Sequence, residues 1–506
     1  MPDTNSYQKI ALIILDGWGI GPKNNSNPIH AASLPNIKNL ISNFPYLSLQ
    51  SAGLAIGLPW QEEGNSEIGH LTIGAGRIVY QSAATIDQSI DNGSFFDNKV
   101  LLQAFEQAKN NNSSVCLTGL LGSGITHSSF KHLSALIQMA EKIGIDYKLH
   151  LFTDGRDASP RECLDLIKKL PEEKIGSLSG RFYAMDRDNH IERTKEAFGA
   201  MVGNNVFSGT PSEYLEKSYL SGITDEFIRP IAFKEGSLAI KKSDSIIFFN
   251  FRKDRMRQMA NLTRELFPET HICSFTKYES ENNIPAAFSL GKIDSSLPEL
   301  IAKAGMAQLR VAESEKKAHV TYFFNAEKEE PFPQEFRVII PSRKIARHDD
   351  HPEMMAEEIT TRVTAAVEEG LYGFILANYA NPDIVAHTGN FDATIKAVEI
   401  IDKEIGLISE ACLKTGTTLI ITSDHGNAEQ LIDPRTGEKD TKHNANPVPF
   451  IVVDNRFKKQ KSEEEINDSE KIIVGSLCDI APTILELMGI QKPAEMTGQS
   501  LISYLK

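Results

Sequence analysis

Residues 418–427 of this 506-residue chain read TLIITSDHGN. Five β-branched or aliphatic residues are followed at once by Ser-Asp-His-Gly, which is the pattern of a buried strand that ends in a polar turn. Three other segments have the same form: residues 10–15 before Asp-Gly, residues 148–152 before Thr-Asp-Gly, and residues 245–249 before Asn. Strands that are apolar on both faces are typical of covered parallel sheets. The four segments therefore predict strands of a parallel sheet.

A helical pattern between these strands extends the argument to the fold class. In residues 352–369, Pro352 suits a first helical turn and Gly370 suits the C-terminal stop. Apolar residues recur there at four-residue spacing: Met355, Ile359, Val363 and Val367. Alternating strands and helices predict an α/β fold with helices on both sheet faces. In such sheets ligands bind beyond the carboxyl ends of the strands.

Composition indicates a soluble globular protein of two to four domains. With 53 Lys+Arg against 67 Asp+Glu the formal charge is −14, and a surface of that sign repels nucleic acid and anionic membranes. The five cysteines include no CxxC pair, and no apolar run reaches membrane-spanning length. We expect a cytoplasmic protein with neither nucleic-acid nor membrane partners.

Oxygen and imidazole ligands are dense in the last third of the chain and are joined by one aspartate near its beginning. They are Asp16, Asp383, His387, Asp424, His425 and His443. With Asn381 as helix cap and Pro382 at the first helical position, Asp383 and His387 would share one helical face. A single aspartate or one Asp-His pair is more often structural, so the prediction of a metal site rests on the whole set.

The ligand types limit the metal. Carboxylate and imidazole without thiolate favour manganese, zinc or magnesium over copper or iron–sulfur sites. Three carboxylates carry about −3 against about +4 for two divalent ions, and this deficit favours an ionised nucleophile or an anionic substrate. Two ions also suit a phosphoryl displacement.

Ser66 is the serine best placed to supply a nucleophile. It stands in GNSEIGHLTIGAGR, residues 64–77, where glycines would tolerate close approach of the backbone to a ligand. The alternative is that Ser66 is the N-cap of a helix that begins with Glu67 and Ile68. A nucleophile can also be a helix N-terminal residue, because the exposed amides there favour a bound phosphate.

Ten strings spread over more than 450 residues carry a family resemblance. They are LDGWG, GNSEIGHLTIGAGRIVYQ, TDGRDASP, GRFYAMDRDNHIERT, NFRKDRMRQ, EKKAHVTYFFN, NYANPDIVAHTGN, TSDHGNAE, NPVPFI and CDIAPTILELMG. The order of these strings along the chain is that of the cofactor-independent phosphoglycerate mutases, which this chain therefore resembles. These enzymes are metal-dependent members of the alkaline phosphatase superfamily. The resemblance implies interconversion of 3-phosphoglycerate and 2-phosphoglycerate in glycolysis and gluconeogenesis, through a phosphoserine on Ser66 and without 2,3-bisphosphoglycerate.

The resemblance also implies a role for each matching residue. One metal would be held by Asp16, Ser66, Asp424 and His425, and the other by Asp383, His387 and His443. Substrate groups would be held by His127, Arg156, Asp157, Arg187, Arg193, Arg252, Arg255 and Lys316. Asp157 is the candidate general base or acid, with His127 as the other possibility. Taken alone, each arginine is more often an ordinary surface ion-pair residue.

The order of these residues implies two α/β domains. Residues 1–80 and 306–506 would form a discontinuous alkaline-phosphatase-like metal domain, and residues 81–305 an inserted substrate domain. The resemblance implies two divalent ions, manganese first and magnesium, zinc or cobalt as alternatives, and a monomer. Three other functions stay open: a phosphohydrolase, another phosphomutase of the superfamily, and a non-catalytic phosphometabolite-binding relative. The inserted arginines argue against the first, and the complete set of ligands against the last.

Two stretches depart from the family pattern. Residues 58–63, just before GNSE, lack an expected glycine and methionine, and residues 326–330 read AEKEE where a glycine pair is usual. Neither departure removes a proposed ligand. Apart from the family pattern, the charged residues 462–465 are interpreted as a solvated surface loop.

Overall fold

A computed structural model of the chain describes residues 7–60, 62–234, 237–278, 283–288, 293–433 and 435–505. The chain forms two compact units: the first joins Met1–Tyr80 to Gly291–Lys506, and the second is Gln81–Leu290. We call them the split unit and the inserted unit. Within the described ranges, none of the helices combines the length and the apolar character needed to span a bilayer.

The strands of the described residues are, in chain order, β1 Ile10–Leu15, β2 Tyr46–Gln50, β3 Val115–Leu121, β4 Tyr147–Thr153, β5 Ile175–Gly180, β6 Ile231–Ala232, β7 Ser245–Phe248, β8 His271–Ser274, β9 Gln308–Glu313, β10 Glu335–Ile340, β11 Phe374–Tyr379, β12 Thr418–Thr422, β13 Val448–Val453 and β14 Ile473–Ser476. All four segments predicted to be strands are among them. β1 and β12 have the predicted bounds, β4 is one residue longer at each end, and β7 is one residue shorter at its C-terminal end. Their residues are buried without alternation, as strands covered on both faces require.

The α-helices of the described residues are α1 Pro28–Ala31, α2 Pro35–Asn43, α3 Ser66–Ala75, α4 Ser82–Asp91, α5 Lys99–Asn110, α6 Phe130–Ile143, α7 Cys163–Ile167, α8 Arg181–Ala184, α9 Ile191–Met201, α10 Pro211–Leu220, α11 Arg257–Leu266, α12 Leu297–Lys303, α13 Ala356–Glu369, α14 Asn381–Ala386, α15 Phe391–Thr415, α16 Glu463–Lys471 and α17 Ile480–Met488. Helices alternate with strands along both units, so the predicted α/β fold class is confirmed.

Two local predictions about helices are wrong. The helix predicted from residue 352 begins at Ala356, because Met354 has a φ of 43° and the turn before it cannot continue a right-handed helix. The charged stretch 462–465 opens α16, since the Ser462 hydroxyl accepts from the Glu465 amide and the Glu465 carboxylate accepts from the Ser462 amide. This capping box satisfies two amides that helix ends otherwise leave unpaired.

The sheet of the split unit has the order β10-β9-β11-β1-β12-β13-β2-β14. β1 lies at its centre, parallel to β11 and β12. The sheet is nevertheless mixed, because β13, which was not among the predicted strands, is antiparallel to both β12 and β2. The described residues between β12 and β13 form no helix, which is the usual crossover between parallel strands.

The sheet of the inserted unit has the order β6-β5-β4-β3-β7-β8 and is parallel except for the short edge strand β6. Its core combines apolar residues of the central strands with one face of α5 and α6. The carboxyl ends of its five parallel strands share one edge, where ligands of such sheets bind.

The boundary between the units lies at Gly291, whereas the sequence-based boundary stood near residue 305. The difference is α12. Its Leu297 and Ile301 are fully buried in the core of the split unit together with Ala312 of β9. The glutamine that begins β9, Gln308, donates from its side chain to the Pro298 carbonyl. The apolar face of α12 therefore belongs with the split unit, although no motif marked it.

The departure at residues 326–330 produces strained backbone. Ala326 and Glu327 have φ values of 59° and 63°, a left-handed conformation that costs a non-glycine residue about 1–2 kcal/mol. Glycine avoids this cost but is about 0.5–1 kcal/mol harder to order. In the other departure Trp60 is mostly exposed, and Gln61 lies outside the described residues.

We therefore expect Ala326→Gly and Glu327→Gly each to raise the free energy of unfolding by roughly 0.5–1 kcal/mol. Urea denaturation of the variants measures the change. Ala304→Gly is the matched control, because Ala304 has a φ of −76° and the same substitution there should destabilise. Equal effects at Ala326 and Ala304 would contradict the strain argument.

Candidate active site

Four neighbouring strands of the split unit end in polar side chains at one edge of the sheet. Asp16 follows β1, Asp383 lies in α14 after β11, and Asp424 follows β12. Lys316 ends a short 3₁₀ turn after β9. All four side chains are buried. Because the strands are parallel, their carboxyl ends bring together residues from both ends of the chain.

Ser66 is the first residue of α3, and its hydroxyl contacts Asp16, Lys316 and His425. Its Oγ lies 3.1 Å from Asp16 Oδ1, 3.0 Å from His425 Nε2 and 2.9 Å from Lys316 Nζ. The alternative interpretation of Ser66 as a helix N-cap is wrong, because Asn65 is the N-cap and accepts from the Ile68 amide. The Ser66 hydroxyl is therefore not needed to cap the helix.

The glycines after Ser66 permit close packing of the protein on itself. A β-carbon at Gly69 would collide with the Asp424 backbone, and one at Gly74 with the Phe324 carbonyl. The sequence predicts that these glycines tolerate close approach of a ligand; at Gly69 and Gly74 they also make room for protein backbone. These contacts press α3 against the strand ends, and so they position Ser66.

A second group of donors surrounds one oxygen of Asp383. Its Oδ1 lies 3.2 Å from His387 Nε2 and 3.3 Å from His443 Nε2, and the two imidazole nitrogens are 3.0 Å apart. Asp383 and His387 are four residues apart as predicted, but Ala380 is the helix cap and Asn381 the first helical residue. The Asn381 amide donates instead to the carbonyls of Pro352 and Glu353.

Three histidines of the site use Nδ1 for a hydrogen bond to a backbone carbonyl and leave Nε2 for other partners. His387 donates its Nδ1–H to the Thr441 carbonyl, His443 to the Gly64 carbonyl and His425 to the Gly426 carbonyl. A carbonyl can only accept, so each Nδ1 carries a proton. When the rings are neutral, each Nε2 lone pair is available to a ligand.

Opposite charges hold the buried carboxylates ionised. Burial and the neighbouring Asp424 disfavour charge on Asp16, yet Lys316 and His425 keep its pKa below the ordinary value. Burial also opposes charge on Lys316, but Asp16 and Asp383 outweigh it and raise its pKa. Burial lowers and Asp424 raises the pKa of His425, with a net rise to about 9. A cation that binds this ring has to displace a proton.

The inserted unit carries the other predicted site residues at the carboxyl ends of its own strands. His127 follows β3, Arg156 and Asp157 follow β4, and Arg252 follows β7. His127 is buried and Asp157 partly exposed, with 3.4 Å between His127 Nε2 and Asp157 Oδ2. Lys316, by contrast, lies in the split unit between two of the predicted acidic ligands, Asp16 and Asp383.

Asp254 lies close to three of the five arginines that were predicted to bind substrate. Its carboxylate lies 3.2 Å from Arg252 Nε, 3.6 Å from Arg187 Nη1 and 3.9 Å from Arg255 Nε. One carboxylate therefore faces three guanidinium groups, and the surplus of positive charge suits a phosphate or carboxylate.

The other two arginines have separate acidic partners. Arg156 Nη1 lies 3.6 Å from Glu226 Oε1, and Arg193 Nη1 lies 3.1 Å from Asp186 Oδ1. The ion pairs that the sequence left as an alternative thus exist for all five arginines. The three arginines around Asp254, however, keep a net positive charge after this pairing.

Comparison with known proteins identifies the family. Residues 8–492 match the sequence profile of the metalloenzyme superfamily. A 2,3-bisphosphoglycerate-independent phosphoglycerate mutase 1 from Methanosarcina acetivorans is 43% identical, covering 97% of this chain and 98% of that protein. The corresponding mutase from Clostridium botulinum strain Langeland is also 43% identical and covers 98% and 100%. The chain belongs to the 2,3-bisphosphoglycerate-independent phosphoglycerate mutase family.

A solved phosphoglycerate mutase has the same overall fold. The structure of the Leishmania mexicana enzyme at low cobalt concentration aligns over 97% of both chains with a TM-score of 0.62 and 25% identity. Fold and sequence therefore agree on the phosphoglycerate mutase family.

The match to the metalloenzyme superfamily raises the question whether the side chains of this site can bind metal ions. Their donor atoms suit such ions. Asp383, His387 and His443 offer donor atoms within 4.8 Å of one another, and so do Asp16, Asp383 and His425. The Asp424 Oδ2 atom is buried and lies 3.2 Å from His70 Nδ1 and 3.6 Å from His425 Nε2. Carboxylate oxygens and imidazole Nε2 atoms are the ligands that manganese, zinc and magnesium accept.

Sequence reasoning missed residues that position the predicted ones, among them two in the split unit and two in the inserted unit. Asn378 donates to Asp16 Oδ2 at 2.7 Å, and the same amide lies 3.0 Å from His70 Nε2. His70 donates its Nδ1–H to the Ser66 carbonyl at 2.9 Å, and the same nitrogen lies 3.2 Å from Asp424 Oδ2. In the inserted unit the missed residues are Asp254 and Arg181. All four stand inside strings that match the phosphoglycerate mutase family, and that is the only signal the sequence offers for them.

Proposed function

We propose that this chain interconverts 3-phosphoglycerate and 2-phosphoglycerate through a phosphoserine on Ser66, without 2,3-bisphosphoglycerate. The observation that carries the proposal is the position of Ser66 Oγ within 3.1 Å of a carboxylate, an imidazole and an ammonium group. A hydroxyl with these neighbours can lose its proton and face an incoming phosphate. Relatives of 43% identity over nearly the whole chain carry the name of this reaction.

Two divalent ions complete the proposed site. Asp16, Ser66, Asp424 and His425 would hold one, and Asp383, His387 and His443 the other. When bound, the ions supply positive charge that stabilises the ionised hydroxyl and the phosphoryl oxygens. We propose manganese, with magnesium, zinc and cobalt as alternatives, because all accept oxygen and imidazole ligands.

The split unit forms and breaks the bonds to phosphorus. The Ser66 oxygen attacks the phosphate of 3-phosphoglycerate, the bond from phosphorus to the glycerate 3-oxygen breaks, and that oxygen takes up a proton. The amides at the start of α3 and the Lys316 ammonium stabilise the negative charge that the phosphate brings. In the second half the glycerate 2-hydroxyl loses its proton and its oxygen attacks phosphorus, the bond from phosphorus to the Ser66 oxygen breaks, and that oxygen takes up a proton again.

The inserted unit is proposed to bind the glycerate and handle its protons. The guanidinium groups of Arg156, Arg187, Arg193, Arg252 and Arg255 would hold its carboxylate and the phosphate, because such groups bind anions bidentately. Asp157 would take the proton of the attacking hydroxyl, with His127 beside it. Retention of glycerate between the two halves is what separates a mutase from a phosphohydrolase.

The physiological setting is proposed on the same grounds. The reaction belongs to glycolysis and gluconeogenesis, and we propose a cytoplasmic monomer that acts on a small-molecule substrate. The charge of −14 agrees with the expected lack of nucleic-acid partners.

A coupled assay with metal-stripped protein tests this function. Ions are added one at a time, 2,3-bisphosphoglycerate is omitted, and both 2-phosphoglycerate and inorganic phosphate are measured. We expect 2-phosphoglycerate to form only with an added divalent ion and without the bisphosphate. Release of inorganic phosphate alone would indicate a phosphohydrolase. Binding of phosphoglycerate without turnover under any ion would indicate a non-catalytic relative.

A further inference from the structure

Arg181 lies between the two groups proposed to handle the glycerate protons. It is the first residue of α8, directly after β5, and its side chain is buried. Nη1 donates to Asp154 Oδ1 and to Asp157 Oδ2, each at 2.6 Å, and Nη2 lies 2.9 Å from His127 Nε2. No ligand or substrate role was assigned to it from the sequence.

The contact between Arg181 and His127 fixes the state of the imidazole. A guanidinium group is always charged and can only donate hydrogen bonds. His127 Nε2 therefore accepts, its lone pair is occupied, and the proton of the neutral ring stands on Nδ1. The Nδ1 atom has no hydrogen-bond partner among the described residues.

We infer that Arg181 is a positioning residue that assigns separate roles to the two groups: it keeps the His127 ring uncharged and holds the Asp157 carboxylate ready to accept a proton. The inference rests on the proposed mutase function, since it concerns the glycerate hydroxyls. Without Arg181, His127 could accept a proton on Nε2 and pair with Asp157 across 3.4 Å. The carboxylate would then be occupied by the wrong partner.

Electrostatics agrees with this assignment. Burial, Arg181 and then Arg252 lower the pKa of His127 to about 4, against opposing effects of Asp157 and Asp254. Burial opposes charge on Asp157, but the hydrogen bond and charge of Arg181 lower its pKa overall. Between pH 5 and 8 the pair is thus a neutral imidazole beside a carboxylate.

Asp154 holds the guanidinium in place. It is buried after β4, and its Oδ1 accepts from the amides of Arg156 and Asp157 as well as from Arg181. The loop that carries Asp157 and the side chain of Arg181 therefore share one anchor. Arginine suits this position better than lysine, because its planar fork donates to several acceptors in fixed directions.

The first test uses the wild-type protein. The C2–H resonance of His127, identified by its loss in His127→Gln, is followed by proton NMR between pH 5 and 8. We expect no titration in this range. A midpoint near the ordinary value of about 6.5 would overturn the inference, whether or not any variant folds.

The second test compares Arg181→Met, Arg181→Lys and Arg161→Met. In Arg181→Met we expect the His127 midpoint to rise by about one to two pH units, kcat to fall about 100-fold with little change in KM, and the acid limb of the kcat profile to rise with the midpoint. Arg181→Lys should recover kcat to within about tenfold, because it keeps the charge. Arg161 is exposed over the Tyr219 ring, so its variant should match wild type.

The outcomes separate the inference from the proposed function. A lower kcat in Arg181→Met with an unchanged His127 midpoint and pH profile would reduce Arg181 to a structural role. A raised KM at constant kcat would make it a substrate-binding residue. The NMR titration needs no turnover, so an inactive protein whose His127 stays neutral would overturn the mutase function and leave only the effect of Arg181 on His127 standing. An active protein whose His127 titrates near 6.5 would overturn the inference alone.

Discussion

Ser66→Ala is expected to reduce mutase turnover by roughly 10⁴- to 10⁶-fold, since removal of a nucleophile removes the covalent route altogether. The fold should survive. Asn65 and not Ser66 caps α3, and the lost hydroxyl contacts cost only about 1 kcal/mol of stability. Formation of 2-phosphoglycerate in the coupled assay with a divalent ion measures the loss.

The same variant tests the phosphoserine directly. Protein quenched in acid during turnover should carry phosphate on the peptide that contains Ser66, and the Ser66→Ala protein should carry none. Ser42→Ala is the matched control, because Ser42 is also a helical serine of the split unit and its hydroxyl donates only to the Lys38 carbonyl. Appreciable turnover in Ser66→Ala, or phosphate on another residue of the wild type, would contradict the covalent mechanism.

Lys316→Met is expected to destabilise the chelated protein by about 3–5 kcal/mol, as breaking a buried ion pair from one side usually does. Lys316 Nζ lies 2.6 Å from Asp16 Oδ1 and 2.8 Å from Asp383 Oδ2, and all three groups are buried. The methionine would leave two carboxylates without their ammonium partner. Manganese supplies charge to the same carboxylates, so the loss should be clearly smaller with manganese present.

Urea denaturation with chelator and with manganese separates these effects. Lys148→Met is the matched control: Lys148 and Asp244 form a buried pair at 2.7 Å in the inserted unit, whereas the proposed ligands belong to the split unit. Its loss of stability should be similar in size and insensitive to manganese. Catalysis should fall only in Lys316→Met, by about 10²- to 10³-fold, since a charge beside the nucleophile is removed. Equal losses in Lys316→Met with and without manganese would show that its carboxylates do not bind the ion.

The central strands were predictable because burial on both faces leaves a strong mark. β1 and β12 are unbroken runs of β-branched or aliphatic residues that stop at a polar turn, and both bounds were right. The direction of β13 left no such mark, because strand direction depends on the connection and not on the residues of the strand. The start of α13 was missed for a related reason: the left-handed Met354 is set by its surroundings and not by its own type.

The candidate ligands were predictable because aspartate and histidine directly after buried strands are chemically conspicuous. The roles of Arg181 and Asp254 were not predictable, although both residues lie in sequence strings that carry the family resemblance. An arginine or aspartate in a polar segment looks like a surface residue. Their importance comes from partners that other strands supply, such as His127 for Arg181 and Arg187 for Asp254. Only the assembled sheet shows these partners.

The central position of β1 also has a consequence for how the protein folds during synthesis. β1 is made first, yet its partners β11 and β12 come from the last third of the chain. At ribosomal rates of about 5–20 residues per second, β1 waits on the order of 20–80 s for β12. The inserted unit is continuous and complete before then, so it can fold first. Until β11 and β12 emerge, the apolar β1 segment is without its strand partners and is a natural point for chaperone binding.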